Sequence, residues 1–463
     1  MESIDKLAVK LKGDVGRWEE EIFKWTCSLA QELAETLLES IDKELMRQKA
    51  HSLKVECLKE HRVSTVFGDI RIKRRLYRSS NGESRFLLDE QMGLDKGCHV
   101  SPKVKELATF ISSHFPFQIS EEILRTILPS GISHTTIHRL VGKLTAPYIE
   151  AEKREMEEVF RAGVIPESEG KAVPYLFIEA DGTMIALQKE KARNAEVKVG
   201  IAYEGWQEVS KNRYKVTEKT AYSGIMDGDR FWEGFSLVLA KKYDMSRIGK
   251  VIVGGDGASW VKEGAELLGG IYQLDKFHLK RAILRGLATD SLGSEVYQAC
   301  ITGEIEKADR LLLEAQQKVD TDRGREIMEL RGYLMANCHG LRDYRLEIDA
   351  SNLRGLGAIE GNVDKLVANR MKKRGMSWTI KGAQRMARLI SLREMGQIHY
   401  WITHRDKSEN GRLSRKESSN RKVTKRKDTG AWLKAEMPVL YGPHQNRHWV
   451  KMLRALTCQI LRV

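Results

Sequence analysis

Three acids stand where a carboxylate could do chemistry. Asp181 follows the apolar run VPYLFIEA, Asp256 follows VIVGG, and Glu360 opens the stretch GAIEGNVDKLVANRMKKRG at residues 357–375. Behind Glu360 that stretch is basic, with Asn362, Lys365, Arg370, Lys372, Lys373 and Arg374. Carboxylates on separate elements suit a hard cation such as Mg²⁺ or Mn²⁺, which prefers oxygen ligands and keeps several waters. Two such ions ~3.5–4 Å apart can activate the attacking oxygen and stabilise the leaving one in phosphodiester transfer. The basic residues would then neutralise neighbouring phosphates. Gly182, Gly254, Gly255 and Gly257 would leave room for a phosphate beside the acids. Each feature also has a plainer meaning. Asp-Gly after a strand is usually a turn, an acid at a helix start is usually solvated, and GGDGASW lacks the Lys-Ser/Thr of a P-loop.

The bulk numbers agree with a polyanionic partner. The chain has 463 residues, a net charge of +14 and a pI near 9.3; a basic excess of this size points first to nucleic acid. At ~100–200 residues per domain, two to four units are expected. Cysteines at 27, 57, 98, 300, 338 and 458 form no C-x-x-C pair and no Cys/His cluster, which argues against a zinc finger and a disulfide framework. Reduced thiols in the cytoplasm, near the nucleoid, are the simplest expectation. MESIDKLAVK lacks the apolar core of a signal peptide, and without a run of about 18 apolar residues no membrane span is expected.

The elements that must position these acids follow from hydrophobic period. Residues 1 to about 60 are expected to be helical, with Trp18, Ile22, Trp25, Leu29, Leu33 and Leu37 at spacings of three and four. STVFGDIRIKRRLYRSS at 64–80 predicts a β-hairpin about Gly68-Asp69. Its second strand carries Arg71, Arg74 and Arg75, where a solvated face and a DNA-backbone contact both stand open. Between 101 and 150 come the helices SPKVKELATFISS, SEEILRTIL with Ser120 as N-cap, and SHTTIHRLVGKL with Ser133 as N-cap. The last two, broken at Pro129-Ser130-Gly131, form a helix-turn-helix candidate. Such a unit lays its second helix in the major groove, and His134, Thr135, Thr136, His138 and Arg139 are groove-facing types. Helical hairpins without DNA-binding function are also common.

A charged helix and linker at 147–172 lead into an α/β region. Strands are expected at VPYLFIEA, ending at Asp181-Gly182, at 196–205 and at 213–225. A helix at 229–243, N-capped by Asp229, precedes a strand, corner and helix at 250–268 and a short strand running into a helix at 270–284. Residues of about 285–355 are expected to be wholly helical, followed by the basic stretch and by SWTIKGAQRMARLISLRE. After His404 the chain is polar and basic, a spacer or a backbone-binding tail, closing on an apolar run, NRHWVKMLRALTCQILRV. Three strands, a helix, a fourth strand, a helix, a fifth strand and a late helix match the order of a ribonuclease-H-like fold, of mixed α/β class. There the first and fourth strands lie side by side, so Asp181 and Asp256 would meet and Glu360 would complete the site. The expected domains are 1–100, a helix-turn-helix at 101–150, a catalytic domain at 170–404 with the helical insertion at 285–355, and a basic tail at 405–463.

The blocks FGDIRIKRRLY, PFQISEEIL with GISHTTIHRL, IEADGTMIALQ, VIVGGDGASWVKEG, YQLDKFHLKR and AIEGNVDKLVANRMKKRGMSW stand in this order along most of the chain. In them the sequence resembles bacterial insertion-sequence transposases of the ISLre-two family, also catalogued as an uncharacterised protein family, and more distantly Mutator-type DDE transposases. The resemblance implies a DDE triad of Asp181, Asp256 and Glu360 as ligands to two Mg²⁺ or Mn²⁺ ions. It implies that water cuts a phosphodiester at the element's end and that the freed 3′-hydroxyl attacks target DNA, with no covalent protein–DNA intermediate. QLDKFHLK supplies Asp275 and His278 where Mutator-like enzymes carry Cys-or-Asp, two residues, then His; a DNA-positioning role and a structural one are both open. The implied partners are terminal inverted repeats, target DNA and further copies of the chain. Two other functions fit the residues: a non-catalytic or domesticated helix-turn-helix protein, and a ribonuclease-H-like nuclease acting on hybrids or junctions.

Overall fold

A computed structural model describes residues 15–94, 97–287, 291–348 and 352–404. The tail and last apolar run expected beyond 404, and the first part of the expected N-terminal helix, lie outside these residues. The chain divides into two compact units, one of residues 1–140 with those from 398 onward, the other of 141–397.

In the first unit, helix α1 (Trp18–Gln48) is shorter than the sequence predicts, because strand β1 (Lys54–Thr65) already pairs antiparallel with β2 (Gly68–Arg78). Charged residues crowd the first half of β1, which hides its strand character. Gly68 has φ +113°, and a Cβ there would collide with Gln31. The apolar stripe that marks α1 in the sequence is not its packed face. Trp18, Ile22 and Leu37 are exposed, whereas Ala34, Leu38, Ile41 and Leu45 pack on Val63, Ile70 and Ile72. A stripe of acids holds the helix to the sheet edge: Glu35, Glu39 and Asp42 accept the backbone N–H groups of Arg71, Lys73 and Arg75 at 2.8, 3.4 and 3.2 Å. Strand β3 (Ser84–Arg85) and helix α2 (Leu87–Gln91) follow.

Helices α3 (Pro102–His114), α4 (Phe117–Ile127) and the start of α5 (His134–Phe160) share a core of Val104, Ala108, Leu124, Leu128, Ile137 and Leu140. Ser133 caps α5 as expected, accepting from the Thr136 amide at 3.3 Å. Ser120 does not cap α4. The helix begins three residues earlier, behind Pro116, and Ser120 is buried inside it with its hydroxyl on the Pro116 carbonyl at 2.9 Å.

The second unit is built on a mixed sheet. Its strands are β4 (Tyr175–Leu187), β5 (Asn194–Tyr203), β8 (Thr220–Gly224), β9 (Lys250–Gly255) and β10 (Ile271–Leu274), in the order β10-β9-β4-β5-β8. The neighbours β4/β5 and β5/β8 are antiparallel, and β4/β9 and β9/β10 are parallel. β6 (Gly205–Ser210) and β7 (Arg213–Thr217) form a separate hairpin, so the single strand expected at 213–225 is split at Glu218, whose φ is +53°. β4 does not end at Asp181 but continues for six residues, paired with β5 as far as Ala186.

Helices α6 (Gly228–Lys242) and α7 (Ser259–Leu267) follow β8 and β9. Asp229 lies in the first turn of α6 and is not its cap; the cap position is Asp227. One sheet face, with Leu176, Ile178 and Ala180, packs on Phe231, Trp232, Phe235 and Val261 of these helices. After β10 the chain is helical, as expected: α8 (Lys276–Leu287), α9 (Ser291–Thr302), α10 (Ile305–Gln316) and α11 (Thr321–Ala336), around Leu279, Ile283, Leu312 and Leu334. Helix α12 (Ala358–Val363) runs into a π-helix (Asp364–Lys372). β11 (Ser377–Trp378) adds to β4, and α13 (Ile380–Glu394) and α14 (Ile398–Thr403) end the described chain. Among the described residues no helix is long and apolar enough to cross a membrane.

The second unit is tied together by a buried cation. Arg388 of α13 is 1% exposed; it pairs with Glu152 of α5 at 2.9 Å and donates to the Ser223 carbonyl of β8 at 2.6 Å. Removing one partner of a buried pair strands the other charge at a cost of ~3–5 kcal/mol. Arg388→Met should lower the urea-unfolding free energy by about that much, and the double variant E152M/R388M should recover most of it.

Candidate active site

The central strands decide where the acids meet. β4 and β9 run parallel with Glu179 opposite Gly254 and Ala180 opposite Gly255, so Asp181 and Asp256 leave this pairing one residue later on adjacent strands. Side chains alternate across a strand, which puts Glu179 and Asp181 on the face away from α6 and α7. Glu360 reaches the same place from α12. Its Oε1 stands 2.8 Å from His278 Nε2 of α8.

Asp181 records this convergence. Burial first, and then the negative charges of Asp256 and Glu360, push its carboxyl up from 3.8 to about 6, against the Gly182 amide and His278, which pull it down. The Gly182 N–H donates to Asp181 Oδ1 at 2.7 Å, and the Ala258 N–H donates to Asp256 Oδ1 at 2.9 Å. The donor set is all oxygen, the kind that suits Mg²⁺ or Mn²⁺. It is not closed into a ligand shell: among the described residues no three His, Cys, Asp or Glu side chains stand close enough to hold a metal ion. Beside Asp256 opens a cavity of about 370 Å³, bounded by His278, Arg281, Arg285, Glu326, Glu329 and Tyr333.

Several expected site residues have other duties. Asp275 is 3% exposed and caps α8, accepting the Phe277 amide at 2.6 Å; it is no DNA contact. It thereby fixes the first turn that carries His278. Arg74 is buried against Asp89 at 2.6 Å, and Arg75 is paired with Asp42 of α1, so neither is free to reach a phosphate. Arg370 is also buried, 5.1 Å from the Trp378 ring. The π-helix is the cause: a π-turn takes in more residues than an α-turn, so Leu366, Val367, Arg370 and Met371 all turn inward. Asn362 accepts from Lys219 Nζ at 3.0 Å. Lys365, Lys372, Lys373 and Arg374 are exposed, with Lys373 paired to Asp364. Arg71 is exposed too, as are His134, Thr135, His138 and Arg139, with Thr136 half-buried and His134 bonded to Glu121 at 2.7 Å.

The glycines beside the acids do not make room for a phosphate. The space a Cβ would take is filled by Glu196 at Gly182, Leu356 at Gly254, Val261 at Gly255 and Asn337 at Gly257. Sequence reasoning missed Glu179, Arg281, Arg285 and Tyr333. Tyr333 donates to the Asp256 carbonyl at 3.0 Å. Arg281 and Arg285 follow His278 at helical spacing, a signal that was available. Glu179 inside an apolar strand was also a signal, since a buried charge demands partners.

The model of a family described as an uncharacterised protein family (UPF0236) matches residues 14–406. A UPF0236 protein of Streptococcus gallolyticus is 26% identical over 392 residues, covering 82% of each chain. A UPF0236 protein of Caldanaerobacter subterraneus subsp. tengcongensis, whose name joins eleven locus tags, is 24% identical over 79% of this chain and 74% of its own length. Among solved structures, a chain of a Drosophila P element transposase strand transfer complex superposes with a TM-score of 0.25 at 10% identity, over 69% of this chain and 87% of that one.

A carboxyl whose folded-state value exceeds its unfolded one favours folding while protonated. For Asp181 that contribution is full below pH 3.8 and is lost as the pH rises through about 6. Without divalent cations, Asp181→Asn should therefore melt a few degrees above wild type at pH 8. The difference should shrink through pH 6 and vanish near pH 4 in thermal denaturation scans.

Proposed function

The chain belongs to the uncharacterised protein family UPF0236, and we propose that it is the DNA transposase of an insertion sequence, with a ribonuclease-H-like core and a DDE triad of Asp181, Asp256 and Glu360. The observation that supports this reading is the parallel pairing of β4 with β9 up to Ala180 and Gly255, after which Asp181 and Asp256 follow side by side, with Glu360 bonded to His278 and the charges of Asp256 and Glu360 adding to the burial that raises the Asp181 carboxyl. The strand order, with three antiparallel strands followed by two parallel ones and the first beside the fourth, supports the core assignment. A relative whose name joins eleven locus tags suits a gene that multiplies within one genome.

The three carboxylates would hold Mg²⁺ or Mn²⁺, which in phosphodiester transfer supplies charge stabilisation at the attacking and leaving oxygens. His278 holds the Glu360 carboxylate in place through its Nε2. Lys365, Lys372 and Arg374, exposed after Glu360, offer charge to the phosphates on either side. The α4–α5 pair presents His134, Thr135, His138 and Arg139 to base edges, the arrangement of a helix-turn-helix.

Labelled element ends incubated with Mg²⁺ test this. Wild type should bind and cut them, whereas Asp181→Asn, Asp256→Asn and Glu360→Gln should bind with unchanged affinity and cut more than about 10²-fold slower, as residues acting as one unit do. Cutting retained by any one variant removes that residue from the site. In a separate binding titration, His134→Ala with Arg139→Ala should cost about 1–3 kcal/mol of specific affinity, with non-specific affinity nearly unchanged.

A further inference from the structure

Two residues before Asp181, on the same face of β4, Glu179 is 1% exposed. A carboxylate this deep must be satisfied on every side, and three of its four partners are the consecutive backbone amides of residues 357–359. Oε2 accepts the amides of Gly357 at 2.8 Å and Ile359 at 3.1 Å; Oε1 accepts the Ala358 amide at 3.2 Å and the Tyr203 hydroxyl at 2.5 Å. Glu360 is the next residue of that backbone. Two features keep the chain in this grip. Gly357 turns in with φ +137°, which disfavours any side chain there. Leu356 packs over Gly254, the residue opposite Glu179 on β9, and a Cβ on Gly254 would stand 2.6 Å from Leu356 Cδ1.

We propose that Glu179 is the positioning residue of the acid site, a clamp by which the strand bearing Asp181 grips the backbone bearing Glu360 and so sets the separation of the two carboxylates. The proposal rests on the catalytic reading above. Two carboxylates of like charge do not hold each other together. The three hydrogen bonds from the amides of Gly357, Ala358 and Ile359 to Glu179 do, while the Tyr203 hydroxyl fixes the Glu179 carboxylate itself. Charge-assisted bonds of this kind are about twice as strong as neutral ones, and a Gln in the same shape presents one accepting oxygen in place of two.

The experiment measures DNA cutting against Mg²⁺ concentration for wild type, Glu179→Gln, Tyr203→Phe and Leu312→Ala, the last a core truncation in the helical cluster away from the acids. Groups that orient ligands in this way typically change metal affinity 10–100-fold. Glu179→Gln should raise the half-saturating Mg²⁺ concentration about tenfold with DNA affinity unchanged. Tyr203→Phe should move it the same way by less, and Leu312→Ala should lower the melting temperature without moving it. A midpoint in Glu179→Gln equal to wild type, or shifted no more than in Leu312→Ala, overturns the clamp. Mn²⁺ binding, counted by electron paramagnetic resonance, separates this from the catalytic reading. If wild type cuts no DNA but binds Mn²⁺, and Glu179→Gln binds it about tenfold more weakly, the clamp stands and the transposase reading falls. Equal Mn²⁺ binding, or none in wild type, overturns the clamp.

Discussion

The parallel pairing of β4 with β9 is the constraint on which the site depends. It joins segments 75 residues apart in sequence, Tyr175 with Lys250 through Ala180 with Gly255. Parallel strands are stable when both faces are covered. Here Leu176, Ile178, Val251 and Val253 supply the apolar side against α6 and α7. The opposite face is free to carry Glu179 and Asp181. Asp181 and Asp256 are thus brought to neighbouring positions by apolar burial elsewhere on the same strands, and the Asp181 carboxyl is raised first by its own burial and then by the charges of Asp256 and Glu360.

The third acid arrives by a different device. α12 is only six residues long, and a helix so short has little stability of its own. Its first turn is defined by the Glu179 carboxylate, by Gly357 and by Leu356. The π-helix that follows turns Leu366, Val367, Arg370 and Met371 together into the interior and leaves Lys365, Lys372 and Arg374 outside. On the other side of the acids, the helical run α8–α11 adds a wall of its own, with Tyr333 bonded to the Asp256 carbonyl and His278 to Glu360. The candidate site is therefore a joint between the sheet, a short helix held by Glu179 and the helical run α8–α11.

Much of this was legible from local pattern. Runs such as VPYLFIEA and VIVGG announce buried strands, the repeat from 291 to 336 announces helices, and Ser133 announces the start of α5. Errors fell where a local signal had two structural meanings. The glycines beside the acids looked like room for a phosphate and proved to be room for Glu196, Leu356, Val261 and Asn337. Trp18 and Ile22 looked like a core stripe and are exposed, because the sheet meets α1 further along, at Ala34, Leu38 and Ile41.

The sequence by itself determined the type and order of most elements and placed Asp256 just past a strand and Glu360 in the first turn of a helix, since hydrophobic period and turn residues are local properties, whereas Asp181 lies inside β4 and not at its end. Tertiary structure decided which charges are available. Arg74, Arg370 and Asp275, for which the sequence allowed a DNA contact, are buried beside Asp89, Trp378 and the α8 amides, and the half-buried Arg75 is paired with Asp42. Glu179 reads as an oddity in an apolar strand and holds the backbone of residues 357–359. The reason is physical: a charged side chain is buried only when a partner from a distant segment satisfies it, and no local period encodes which segment that is.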